Sequence, residues 1–106
     1  MIVRFSIEPI DQGQYEYRVT NEGENLYDDA GLDSIEACVI AATEGLGQDA
    51  IAAEIAYKGI ISGTYALASL ALASAQIAQH AAQTTEAIEE AIEAAGRGPA
   101  GGRAAY

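Results

Sequence analysis

Cysteine, histidine, tryptophan and positive charge are all scarce in this chain. The single cysteine, Cys38, excludes an internal disulfide, and with only one histidine, His80, no histidine pair is available to hold a metal or share a proton. Five Lys or Arg stand against 16 Asp or Glu over 106 residues, a formal charge of -11. There is therefore no basic patch from which the chain could bind nucleic acid directly. A glycine-rich phosphate loop is also missing, and no period of 20 to 50 residues recurs that would indicate a solenoid. Met1-Ile2-Val3-Arg4-Phe5 alternates at once, without the charged start and apolar run of a secretory signal, so a cytoplasmic location is expected.

The residues that remain give little support to catalysis. His80 lies among Gln76, Gln79 and Gln83 with no acid nearby in sequence to orient it, and reads as a surface or capping residue. Cys38 falls on the apolar stripe of a helix, where a thiol is inert rather than nucleophilic. Asp28-Asp-Ala-Gly-Leu-Asp33 lacks the alternating ligands and closing glutamate of a calcium loop. Glu86, Glu89, Glu90 and Glu93 have helical spacing but no Glu-x-x-His partner for a di-iron site, and read as a solvated helical face. The expectation is a non-enzyme with no metal and no cofactor.

What is present is a block of negative charge. Between Arg18 and Lys58 stand Glu22, Glu24, Asp28, Asp29, Asp33, Glu36, Glu44, Asp49 and Glu54, with no basic side chain among them. Like charges held together oppose folding, so such a block either serves solubility or meets a cationic partner. Residues 55–85 contain no carboxylate at all. Within them, residues 59–77 are uncharged and nearly long enough to span a bilayer, but Ser62, Thr64, Ser69, Ser74 and Gln76 dilute the segment and a buried helix is the better reading.

Periodicity predicts an α+β fold: an N-terminal antiparallel β-hairpin, or three strands if Leu26-Tyr27 also pairs, followed by three or four helices packed as an alanine-rich helical bundle. Val3, Phe5 and Ile7 alternate with Arg4, Ser6 and Glu8, and Tyr15, Tyr17 and Val19 alternate with Glu16, Arg18 and Thr20. Pro9, Asp11 and Gly13 suggest a loop longer than a two-residue turn between them. Arg4 and Arg18 would share a polar face with Glu8 and Glu16 and be neutralised there. From Asp33, capping-box spacing to Glu36 opens a helix with Ile35, Cys38, Val39, Ala42 and Leu46 on one stripe, ending near Gly45 and Gly47. Asp49 is a candidate cap for a second helix carrying Ile51 and Ile55. A third is expected over residues 64–83, and Thr85 would cap a fourth with Ile88, Ala91, Ile92 and Ala95 on one face, unless the last two are continuous. The 23 alanines favour helices that approach closely rather than bury large side chains. Residues 1–95 read as one compact domain and 96–106 as a flexible Gly/Ala/Arg tail.

Duplex DNA carries one charge per ~1.7 Å of axis, so a domain ~26 Å across faces about fifteen phosphates, about half of them on one side. The nine clustered acids are of that order. In size, charge and lack of catalytic motifs the chain resembles the small acidic inhibitors that phages direct against bacterial defence, the anti-CRISPR proteins. That resemblance implies a binding protein that occupies the basic, nucleic-acid-binding surface of a CRISPR effector as a DNA mimic, with the acidic block as its contact. Over residues 1–46, the order Val3 to Glu8, Tyr15 to Thr20, Leu26-Tyr27 and the helix opened by Asp33-Ser-Ile-Glu-Ala37 resembles the partial RNase H-like domain of HicB antitoxins. The Pro-Gly-Cys-like segment expected before the helix is missing, and the alanine-rich C-terminal half does not match the usual DNA-binding appendage. That resemblance implies masking of a small basic ribonuclease toxin. A third expectation is a structural or assembly protein that forms a homo-oligomer through its alanine-rich helices, the acids serving solubility.

Overall fold

The computed structural model describes residues 1–97. Strands β1 (Ile2–Asp11), β2 (Gln14–Asn21) and β3 (Glu24–Leu32) lead into helix α1 (Ile35–Glu44); β4 (Ala52–Tyr57), β5 (Ile60–Ala66), α2 (Leu67–Leu72) and α3 (Ser74–Arg97) follow. The strands form one mixed sheet in the order β3-β2-β1-β4-β5. Only β1 and β4 run parallel, with Phe5 opposite Ile55, and α1 makes the crossover between the two halves.

Alternation decides which face the helices cover. Val3, Phe5 and Ile7 of β1 point inward with Tyr17, Val19, Ala53 and Ile55, and they meet Cys38, Val39 and Ala42 of α1, Leu70 of α2, and Ile77 and Ala81 of α3. The opposite residues, Arg4, Ser6, Glu8, Glu16 and Arg18, lie on the open face and are exposed or half-buried, as expected of a sheet packed on one side only. Two-residue turns with both central residues at positive φ join β2 to β3 (Glu22-Gly23, φ 53 and 86) and β4 to β5 (Lys58-Gly59, φ 54 and 79). This geometry matches the right-handed twist of the flanking strands.

The helical bundle of three or four helices expected after a hairpin or three strands is incorrect: among the described residues a five-stranded sheet carries three helices. Ile51 and Ile55 have helical spacing, but Ala53, Ile55 and Tyr57 also alternate with Ala52, Glu54 and Ala56, and pairing of β4 with both β1 and β5 settles the segment as strand. Alanine's helix preference is a few tenths of a kcal/mol per residue, which sheet burial outweighs. The span 64–83 divides into the end of β5, α2 and the start of α3, while α3 runs unbroken through Thr84 and Thr85 to Arg97. Thr85 is therefore not a cap. It is buried in mid-helix and its hydroxyl donates to the Tyr57 carbonyl at 3.1 Å, fastening α3 to the end of β4. Leu26-Tyr27 belongs to a nine-residue strand. The β1–β2 loop is a two-residue Gln12-Gly13 turn.

Helix α1 forms where its apolar stripe predicts, but Ser34 rather than Asp33 caps it, accepting the Ala37 N–H at 3.0 Å. At the other end Gly45 has an ordinary φ of -84°, so its lack of a side chain has a steric reason: a Cβ there would stand 2.8 Å from Cε2 of Tyr27. The Tyr27 hydroxyl donates to the Ala42 carbonyl at 2.5 Å, which ties the outer strand β3 to α1. No helix among the described residues is long and apolar enough to cross a membrane. The reading of residues 96–106 as a flexible tail falls mostly outside the described residues; Gly96 and Arg97 belong to α3.

Candidate functional site

The direction of the chain places the predicted carboxylates. β1, β3 and β4 share one direction and α1 returns against them, so the β2–β3 turn and the α1–β4 loop lie at the same end of the sheet. Glu22, Glu24, Glu44 and Asp49 are exposed at that end. Asp28 and Asp29 follow along β3, the outermost strand on that side, and Asp33 and Glu36 flank the start of α1 at the far end. The acids thus run along the β3–α1 flank. The β5–α2 flank opposite carries none, since residues 59–85 contain no carboxylate.

Alternation turns Asp28 and Asp29 to opposite faces. Asp28 lies on the open face, opposite Arg18 of β2, and accepts from Asn25 Nδ2 at 3.0 Å. Asp29 lies on the helix side, opposite Tyr17, and its Oδ1 accepts the Ala30 N–H at 2.8 Å. Burial first, and then the charges of Asp29 and Asp33, pushes the Cys38 thiol up to about 11. Tyr17 is also raised, by burial first and then by Asp29, Cys38 and Asp28. Along this pair of strands, an open hollow of about 320 Å³ is lined by Glu16, Tyr17 and Arg18 of β2 and Asp28, Asp29 and Ala30 of β3.

Glu54 does not belong with the others. It sits on the open face of β4 and accepts from Arg4 Nε at 2.6 Å, so its charge is answered within the fold. The polar face expected to pair Arg4 with Glu8 or Glu16 instead leaves those two glutamates directly opposite each other across β1 and β2. Like charges so placed repel. Glu16, omitted from the predicted set, therefore joins Asp28 at the edge of the acidic flank. The alternation of β1 and β2 already put Glu8 and Glu16 on one face; the signal missed was that Arg4 pairs with a parallel strand 50 residues away.

A second acidic element comes from α3. Thr85 and the Lys58–Glu89 ion pair (Nζ–Oε2 3.2 Å) hold it to the β4–β5 turn. Beyond Thr85 its residues to Gly96 are exposed, and the molecule measures 53 Å along its longest axis against 29 and 25 Å across. Among the described residues no three His, Cys, Asp or Glu side chains gather as a metal-binding group. His80 is exposed with Thr84 Oγ1 3.4 Å from its Nε2, and Cys38 is fully buried. No family model, curated protein or solved structure matches this chain.

Proposed function

We propose that the protein is a non-enzymatic inhibitor or binding protein that sets the carboxylates of its β3–α1 flank against a basic, nucleic-acid-binding surface of a partner, in the manner of anti-CRISPR DNA mimics. The observation that carries this reading is the uneven placement of charge: Glu16, Glu22, Glu24, Asp28, Asp29, Asp33, Glu36, Glu44 and Asp49 border β3 and α1, while residues 59–85 supply no acid to the other flank. A charge placed only for solubility has no reason to crowd nine acids around β3 and α1 while leaving residues 59–85 with none. Exposed ion pairs are screened within ~10 Å at 0.1 M salt, so attachment through this flank weakens steeply as salt rises.

The test is retention of host proteins on the immobilised chain at low salt, followed by elution with duplex DNA. A retained nucleic-acid-handling protein displaced by DNA is the expected result. Asp28→Lys with Asp29→Lys and Asp33→Lys abolishes retention and leaves the circular dichroism spectrum unchanged, because all three side chains are exposed. Retention that survives the triple variant refutes the reading. An antitoxin-type role is a second reading, motivated by the strand-strand-strand-helix order of residues 2–44; a small basic ribonuclease recovered in the same elution would favour it.

A further inference from the structure

The sheet has two edges, and they are treated differently. On β3, Glu24, Asp28 and Asp29 charge the edge, register shifts interrupt its pairing with β2 at two points, and the Ala30 N–H is taken by the Asp29 side chain. Charges and bulges of this kind keep an edge from pairing with another strand. β5 (Ile60-Ile-Ser-Gly-Thr-Tyr-Ala66) has no charged residue and no proline, and no other described element hydrogen-bonds to its outer side. One bulge, at Ser62, leaves Gly63–Ala66 as its straight section.

Next to β5 the charges are answered, Glu54 opposite Thr64 by Arg4 and Lys58 in the β4–β5 turn by Glu89, and the remaining neighbours are apolar or neutral. Ile61 is 47% exposed on the open face, and Leu67 follows the strand directly with its N–H on the Ile51 carbonyl, Ile51 itself being 63% exposed. On the helix side, Tyr65, Ser69, Ala73, Gln76 and Ile77 line an open hollow of about 360 Å³. For a chain of charge -11 this flank offers another copy the fewest carboxylates: Glu54 is held by Arg4, Glu89 is paired with Lys58, and the remaining acids of α3 lie on the exposed stretch of that helix. The exposed isoleucines of α3, Ile88 and Ile92, are the competing contact, but Glu86, Glu89, Glu90 and Glu93 share their helix and would meet their own kind.

We infer that the outer edge of β5 is a self-pairing surface, on which a second copy of this chain adds its own β5 antiparallel about a two-fold axis to form a continuous ten-stranded sheet. Antiparallel pairing of a strand with itself is self-complementary, as a two-fold interface must be. The strand itself offers a charged partner nothing complementary, whereas another copy brings the same neutral strand. The straight section is short, so the interface falls at the small end of specific contacts and the dimer is weak. Pairing would leave the acidic flanks at opposite ends of the joined sheet, so this inference stands or falls independently of the acidic contact.

The experiment is sedimentation velocity of the full chain from about 5 μM to about 1 mM, at low and at high salt. The weight-average mass should rise toward twice the 11.0 kDa of the chain, and should do so at lower concentration in high salt, because screening removes repulsion between two acidic bodies. That dependence is opposite in sign to the one expected of the acidic flank with a basic partner. Ile61→Lys with Thr64→Lys should lose the dimer although the two lysines lower the net negative charge; both side chains are exposed, and an unchanged thermal melt confirms the fold. Leu26→Lys on the β3 edge should leave the dimer intact. A chain monomeric throughout, or a dimer indifferent to the two β5 lysines, overturns the inference.

Discussion

Substitution of Gly45 by alanine should destabilise the protein, against the usual trend for a glycine with an ordinary backbone conformation. At φ -84° no left-handed strain is relieved by glycine, and adding a methyl normally stabilises by about 0.4–1 kcal/mol through the unfolded chain. Here the methyl would lie 2.8 Å from Cε2, 2.9 Å from Cζ and 3.1 Å from Oη of Tyr27. The ring cannot swing aside freely, because its hydroxyl is bonded to the Ala42 carbonyl and its edge meets Tyr17 at 84° with centroids 6.3 Å apart. Overpacking of this kind costs about 1–3 kcal/mol, so the net loss is roughly 1–2 kcal/mol, or about 5–15 °C in the melting temperature of a domain this size. Urea denaturation of a double-mutant cycle is the decisive assay. In a Tyr27→Ala background the obstruction is gone, and Gly45→Ala should become neutral or stabilising by about 0.5 kcal/mol. A Gly45→Ala protein as stable as its parent, or the same loss in both backgrounds, would refute the proposed clamp between β3 and α1.

Burial holds Cys38 neutral and raises its pKa from 9.0 to about 11, so its contribution to stability is intact below pH 9 and is lost as pH climbs toward 11. Urea midpoints at about pH 8 and pH 10.5 should converge in Cys38→Ala relative to wild type; part of the alkaline loss persists, because burial also lifts Tyr27 to about 12. A native thiol that reacts with a disulfide reagent at the rate of an exposed cysteine would contradict its complete burial. Gly59→Ala, at φ +79°, should cost about 1 kcal/mol by thermal melt, whereas Gly47→Ala, with nothing within 4 Å of the added Cβ, should leave the melt unchanged or slightly raised.

Strands β1 and β2 were legible because large apolar residues alternate with charged ones, a contrast that only a half-buried strand explains. Helix α1 was legible for the matching reason at helical spacing. β4 and β5 were not, because Ala52, Ala53 and Ala56 blur the difference between the two faces, and because the partner that fixes β4 is β1, some fifty residues away. A local window contains no trace of that parallel pairing, although Lys58-Gly59 between Tyr57 and Ile60 was a turn signal that helical periodicity obscured. Thr85 misled for a related reason: threonine is a good cap, and only the nearby Tyr57 carbonyl explains it in mid-helix. The acidic flank was legible as composition but not as shape. Chain order placed Glu54 with the other acids, and the sheet then gave it to Arg4.

The overhang of α3 separates two kinds of selection within one element. From Ile77 to Glu89 the helix is fastened to the sheet, and changes there must respect Leu70, Tyr57 and Lys58. Its final two turns form a cantilever ~10 Å long, on which most substitutions would leave folding almost untouched. Folding therefore constrains the sequence of that arm far less than that of the sheet below, whose architecture each buried residue helps to fix.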